Sequence, residues 1–409
     1  MAKTLLQFLA SLRLTVVLLA LSLVVVFLGT VAQEPLGLYL SQKRFFHSFF
    51  IDWLAMKAAL VKTLQMVSIH LPPVPAAEVV HGPRVPVFPG GYLLGTLLLA
   101  SLVAGHFTRF KFTWKKLGIW LTHLGLILLL LGQLLTDLLA TESAMRLAEG
   151  DTLNYSQDFR DNELVLIDES DPVNDRVVSI PEARLAAGRE LRPPELPVTL
   201  RVVEYWRNAM VYEGPASNAV PVRATRGIGP GLHVQPLAPV TAMDERNTPS
   251  AVVEVIGPQG SLGTWLVSTL SGARQEFTVN GKPFSIALRF TRYYKDFSLR
   301  LLEFRHEKYR GTQTPKDFRS RVIVDQPSTR ERREVDIYMN NPLRYGGYTF
   351  YQSSFDPRND ELVNKVTILQ VVRNPGWLTP YLACGVMTLG LMVQFLMHLV
   401  GFAWKRVAA

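Results

Sequence analysis

Cysteine is almost missing from this chain: among 409 residues only Cys384 carries a thiol. One thiol cannot close a disulfide within the chain. It also excludes a C-x-x-C redox pair and a C-x-x-C-H haem-attachment motif. Any large domain must therefore be held by its own apolar core. Several catalytic signatures are missing too. The sequence has no G-x-S-x-G nucleophile elbow, no phosphate-binding P-loop, no H-E-x-x-H and no Cys/His run with metal-ligand spacing. Acidic residues are scarce outside the middle of the chain: residues 140–376 hold 30 Lys+Arg and 30 Asp+Glu, whereas the rest holds 13 basic residues against four acidic ones. The net charge of +9 and the pI near 9.6 thus come from the flanks. Spread this way, the excess base suits helix ends facing anionic lipid and gives no sign of a nucleic-acid surface.

What the chain has in quantity is apolar sequence. It is 48% hydrophobic with a mean hydropathy of +0.16. Four long, nearly uncharged runs lie at residues 12–32, 90–108, 117–139 and 377–402. Each is long enough for a hydrocarbon core of ~30 Å at 1.5 Å per helical residue. The first resembles a signal peptide at its basic start, but its run exceeds a typical h-region and no A-x-A site follows, so it reads as a retained anchor. Residues 33–89 form a first connection. There Phe45, Phe46, Phe49, Phe50 and Trp53 precede Lys57 and Lys62 at helical spacing, and prolines at 72, 73 and 75 end the run. This predicts an amphipathic helix, lying either in the membrane interface or packed under a neighbouring domain.

Residues 140–376 alternate in the manner of strands, notably at 163–168, 198–206, 251–256, 264–269, 284–293, 298–305, 321–324, 334–338, 348–352 and 365–371. Asn280-Gly281 marks a hairpin turn. Stretches 185–197 and 227–239 read as lobe boundaries or mobile loops. The expected architecture is four transmembrane helices, three before and one after a large all-β domain of sandwich or open-barrel type in one or two lobes.

Basic residues set the orientation. Lys3 and Arg13, then Arg109, Lys111, Lys115 and Lys116, then Lys405 and Arg406 crowd three flanks that share one side if all four runs span. That side is cytoplasmic. Both termini then lie inside, and the β-rich domain lies outside, in a periplasm or its equivalent.

The chain has eight histidines. His123 sits inside the third run, ~10 Å beyond Lys116 by helical rise. An ionisable group at such depth is costly and usually functional. His106 ends the second run, and His398 lies ~10 Å short of Lys405. All three fall toward the cytoplasmic side. Neutral imidazole is a common axial ligand for haem iron, and an interhelical hydrogen bond is the plainer use of the same ring. Both readings stand for each residue. His47, His70 and His81 in the first connection, and His233 and His306 in the outer domain, read as structural.

Several stretches resemble the ResB/CcsB-type cytochrome c biogenesis proteins. The opening span matches at Ser11-Leu12-Arg13-Leu14-Thr15-Val16-Val17 and at Leu28-Gly29-Thr30-Val31-Ala32-Gln33. Further on stand Tyr309-Arg310-Gly311-Thr312 and Pro315-Lys316-Asp317-Phe318-Arg319-Ser320. The most specific match runs from Asn340-Asn341-Pro342-Leu343-Arg344-Tyr345-Gly346-Gly347 through Tyr348-Thr349-Phe350-Tyr351-Gln352-Ser353-Ser354-Phe355. Asn374-Pro375-Gly376 opens the last span. Read alone, 340–355 is a turn at Asn341-Pro342 and a tight reversal at Gly346-Gly347 leading into an aromatic strand. Its side chains either fill a core or dock a partner.

The resemblance implies a subunit of a System II cytochrome c synthase in the bacterial inner membrane. Its partners would be a ResC/CcsA-type membrane protein, apocytochrome c and separate thiol-reducing proteins. It implies transient haem b carried outward and joined to apocytochrome, with no catalytic residues in this chain. It also implies haem contact by a transmembrane histidine: His123 first, as iron ligand, then His106, with His398 a further candidate. Asn341, Pro342, Tyr348, Tyr351 and Gln352 would serve partner binding. The tryptophan-rich segment of such systems belongs to the partner, and the seven tryptophans here form no such cluster. The alternative is a scaffold that positions partner and apocytochrome without touching haem. A transporter would need a broken helix or a polar midplane site.

Overall fold

The computed structural model describes residues 2–109, 113–172, 174–188, 190–194, 196–240, 245–312, 315–355 and 365–407. Lys111 and the side chains of His81, Arg109 and Lys405 lie outside the described residues, as do Arg189 and Glu195 in the expected loop 185–197. The chain divides into two compact units, one built from Met1–Ala140 with Asn374–Ala409, the other from Thr141–Val240 with Glu245–Arg373.

The first unit is helical: α1 (Ala2–Leu9), α2 (Leu12–Val31), α3 (Gln33–Ser41), α4 (Trp53–Met66), α5 (Ala76–His81), α6 (Gly91–Arg109), α7 (Leu117–Leu139) and α8 (Thr379–Val407). Four stretches, Leu12–Val31, Gly91–Thr108, Trp114–Leu139 and Thr379–Trp404, are long and apolar enough to cross a membrane. The helix expected in the first connection is α4. Its N-terminus is fixed by Asp52, whose carboxylate accepts the Ala55 N–H at 3.1 Å. Ala55, Ala58 and Ala59 are buried with Leu18, Val25 and Leu28 of α2 in one apolar cluster. Small side chains let the two helices approach, so α4 packs on the first apolar helix instead of standing alone. A π-helical turn, Gln42–Phe46, closes over the same cluster. There Gly29 is required, because a Cβ would come within 2.7 Å of the Phe46 ring. The turn also buries Arg44, which reaches Asp52 at 3.0 Å and the Val79 carbonyl at 2.8 Å.

Along α7 and α8 runs a seam of small residues. Gly118, Gly125 and Gly132 recur every seven positions and are buried. A Cβ at Gly118 would meet Gln394 Cβ at 2.6 Å, one at Gly125 the Ala383 carbonyl at 2.8 Å, and one at Gly132 the Thr379 methyl at 2.5 Å. The opposing helix answers with Ala383 and Gly390 at the same interval, and a Cβ at Gly390 would meet the Thr122 N at 2.6 Å. In a lipid environment, where burying oily surface drives nothing, such close backbone contact is what associates helices. A seven-residue period keeps the seam facing its partner along the whole length.

The second unit is β-rich. Its main sheet runs in the order Glu331–Tyr338, Pro315–Gln326, Lys282–Lys308, Thr152–Asp168, Thr141–Ala148, Val366–Arg373, Tyr348–Phe355 and Leu343–Tyr345. A tight turn bonded between Tyr338 and Asn341 carries the chain from the first strand of this order to the last, and the sheet is nearly closed and barrel-like. Phe297, Leu299, Leu301, Val322, Ile337, Phe350 and Leu369 fill its interior. A second core lies where Leu164, Leu166, Phe284, Ile286 and Leu288 pack against Leu200, Val253, Val255 and Val267 of another sheet. That sheet orders Gly260–Ser268, Ser250–Gly257, Thr199–Trp206 and Glu190–Leu191.

The sequence suggests two strands at 284–293 and 298–305, but the structure has one, Lys282–Lys308. The apparent break is Lys295, which keeps the inward alternation and is buried while Asp296 points out. Its ammonium donates to Ser156 Oγ at 2.7 Å and the Tyr293 carbonyl at 3.0 Å, and sits 4.7 Å from the Tyr348 ring centre. The stretch 227–239, expected as a lobe boundary or loop, contains strand Leu232–Pro236 at the centre of a small three-stranded sheet.

Two outcomes test this packing. Gly125→Val should destabilise the detergent-purified protein by about 1–3 kcal/mol through overpacking. Gly385→Ala, where a Cβ meets nothing within 4 Å, should leave the melting temperature unchanged. Burial lowers the Lys295 pKa from 10.5 to about 8. Between those values the folded protein sheds a proton that the unfolded chain keeps, so this lysine makes stability rise as pH rises through that window. In thermal unfolding across pH 7.5–10.5, Lys295→Met should lack this component; identical profiles would refute the assignment.

Candidate functional site

His106 and His123 meet. His106 lies in the last turn of α6 and His123 in the second turn of α7, so the antiparallel pair brings both to the same end. Their ring centres are 6.1 Å apart with planes 26° off parallel. Trp120, three residues before His123 and on its face of the helix, packs on His106 at 4.0 Å between ring centres. His106 is buried to 1% exposure, whereas His123 is half-buried. His123 Nδ1 lies 2.8 Å from the Ile119 carbonyl one turn back. That contact assigns the ring proton to Nδ1 and leaves Nε2 with a lone pair, as a ligand or acceptor requires. His398 is not brought to this pair. It is exposed on α8, with Gln394 Nε2 2.7 Å from its Nε2. No group of three or more His, Cys, Asp or Glu side chains suited to a metal ion occurs among the described residues.

The five residues expected to bind a partner divide by orientation. Asn341 and Tyr351 are exposed, and Pro342 is half-buried. Tyr348 turns inward, its ring 6.3 Å from that of Phe297. Gln352 accepts from Ser320 Oγ at 2.6 Å and donates to Thr367 Oγ1 at 3.0 Å, tying three strands together inside the barrel. The reversal that aligns them needs positive φ at Gly346 (58°) and Gly347 (78°). A Cβ at Gly346 would also strike the Phe297 ring at 2.6 Å.

Two residues differ from a reading by histidine and alternation alone. His306, in a run of alternating charge that reads as a solvated surface, is half-buried: its ring stacks on Phe318 at 4.7 Å and meets the tilted Phe355 ring at 4.3 Å, in one aromatic cluster. Asp137 is the only acidic residue within the four apolar helices; it accepts the Tyr92 hydroxyl and lies 3.3 Å from His47 Nε2. A carboxylate in an apolar run is the sequence signal that points to it.

The inward and outward faces of the hairpin predict opposite behaviour. Gln352→Ala should destabilise the protein by about 1–3 kcal/mol, because Ser320 and Thr367 are left buried with a lost partner. Tyr351→Ala should stay within about 0.5 kcal/mol, as a surface change does. Chemical denaturation of both variants against wild type decides this.

Residues 259–364 match the family model described as the ResB-like family. A stretch of 100 residues, 24% of this chain, is 38% identical to Protein NrfI of Wolinella succinogenes. The match spans 10% of that relative's length. The family match takes in the strands from Gly260–Ser268 to Tyr348–Phe355, including the whole of Lys282–Lys308 and the hairpin at 343–355. The likeness to ResB/CcsB-type proteins read from the sequence is thereby shown: over residues 259–364 this chain is similar to the ResB-like family.

Proposed function

We propose that this protein is the ResB-type subunit of a System II cytochrome c synthase. It lies in a bacterial inner membrane, with three spans before the β-rich domain and one after. Both termini are cytoplasmic and the domain is periplasmic, by the basic residues at three flanks. It works with a ResC/CcsA-type membrane protein, receives apocytochrome c on the outer side, and depends on other proteins for thiol reduction. Haem b is the transient cargo.

The juxtaposition of His106 and His123 at one end of α6 and α7 supports this reading most directly. The donor chemistry fits an iron porphyrin. The Ile119 carbonyl fixes the His123 tautomer, leaving Nε2 as the lone-pair nitrogen. His106, packed on Trp120, supplies a second imidazole and a flat aromatic wall. In this reading His123 ligates the iron of the entering haem, His106 and Trp120 hold the macrocycle, and His398 is a peripheral contact. Outside the membrane, Asn341, Pro342 and Tyr351 offer a partner surface, while Tyr348 and Gln352 keep the hairpin in shape. A scaffold that never touches haem is favoured by one observation, the near-complete burial of His106.

Purified together with its partner, the His123→Ala protein should lose most of its haem, read as a pyridine haemochrome, and cells carrying it should lose c-type cytochromes. Unchanged haem content with normal cytochrome yield would leave the scaffold as the function.

A further inference from the structure

Polar groups mark one level at the outer ends of the apolar helices. From Lys116 to Asp137 is ~32 Å of helix, the thickness of a hydrocarbon core. Tyr92, in the first turn of α6, donates its hydroxyl to Asp137. Thr136 Oγ1 donates to Asn374 Oδ1 at 3.3 Å, just before α8. Exposed aromatic rings collect at this level. Phe49 lies 5.9 Å from the Tyr92 ring, and Trp377 and Tyr381 stand at the start of α8 with ring centres 6.3 Å apart. At the other end of the helices Phe107, Trp114 and Trp404 are exposed. Rings at both ends of a span are what the two interfaces of a bilayer select.

The first connection carries this outer level sideways. The Gly90 N–H donates to the Phe49 carbonyl at 2.8 Å and the Tyr92 N–H to the Ser48 carbonyl at 3.2 Å, so exposed Phe49 and Phe50 are pinned at the start of α6. Strand Phe50–Asp52 pairs with Pro86–Pro89, and the Trp53 N–H donates to the Val85 carbonyl at 2.8 Å. The start of α4 is thereby tied to the outer end of α6. Its far half is tied to the outer end of α2, where Lys62 pairs with Glu34 just past Val31. A helix held this way lies across the helix ends. Along it Trp53, Leu60 and Leu64, at i, i+7 and i+11, form one exposed apolar stripe opposite the buried Ala55 and Ala59. The neighbouring charges are matched: Lys57 is 4.0 Å from Glu78, and Lys62 has Glu34. An exposed apolar surface of this kind marks an interaction site. Its level, continuous with the ends of membrane-length helices, makes phospholipid the occupant, and the matched lysines leave no excess charge to require an anionic headgroup.

We propose that the turn at Phe49 and Phe50, with the Trp53–Leu60–Leu64 stripe of α4, docks into the outer phospholipid leaflet at the boundary between headgroups and acyl chains, independently of lipid charge. The proposal rests on the reading that the four apolar helices cross a membrane, and it holds whether or not the chain touches haem.

Cys384 is the one thiol and is exposed on α8, so a nitroxide on the wild-type chain reads the hydrocarbon interior. In a Cys384→Ser background, Leu60→Cys and Leu64→Cys each carry the same label. The full chain is reconstituted in phosphatidylcholine vesicles and followed by power-saturation electron paramagnetic resonance with oxygen and a water-soluble nickel chelate. Both α4 labels should meet oxygen more than nickel, at a depth of about 5–10 Å below the phosphates, shallower than the Cys384 label. Adding phosphatidylglycerol should leave that depth unchanged. Stronger access to nickel than to oxygen at both positions means that the stripe faces water, and exclusion of both reagents means that protein covers it; either overturns the proposal. Insertion that appears only with phosphatidylglycerol overturns it too, because headgroup charge would then be the attraction. The unlabelled protein gives a second reading: brominated phosphatidylcholine should quench a smaller fraction of the tryptophan emission in Trp53→Phe than in wild type, and equal fractions would count against docking at Trp53.

Discussion

Close backbone contact between α7 and α8 is the constraint on which the helical unit depends. Lipid tails solvate leucine as well as another leucine does, so oily side chains on these helices give them no reason to associate. The gain comes from dispersion between surfaces that fit, and fit here means the missing side chains of Gly118, Gly125, Gly132 and Gly390. The seam also fixes rotation. With the small face of α7 turned to α8, Trp120 and His123 occupy a different face and meet His106. The seam thus sets which way the histidine points.

Much of the architecture was legible because it follows from two periods. Runs of apolar residues without charge mark the four long helices, and alternation marks most strands. The failures have physical causes. Strand Thr141–Ala148 carries Ser, Ala and Glu, residues of low strand propensity, and is held by pairing with Val366–Arg373 far away in sequence. The break at Lys295 looked like a turn because a lysine rarely faces a core; its solvation by Ser156, a carbonyl and the Tyr348 face appears only in three dimensions. Strand Leu232–Pro236 hides among glycines and prolines, which punctuate its ends and leave its middle free to pair.

The site was partly legible. Depth in an apolar helix singles out His123, and antiparallel connection makes its approach to His106 a fair expectation. His398 has the same depth by counting, but helix rotation turns it outward, and rotation cannot be counted from one sequence. The His47 cluster needed three segments brought together: a π-helical turn, the start of α6 and the end of α7. No spacing rule joins residues 47, 92 and 137.

The strand Lys282–Lys308 serves two cores at once. Its first half contributes Phe284, Ile286 and Leu288 to one, and its second half contributes Phe297, Leu299 and Leu301 to the other. Neither lobe can melt without fraying a strand that the other is gripping. The β-rich unit should therefore behave as one cooperative foldon, and fragments cut between the lobes would each be left with an unsatisfied edge prone to aggregate.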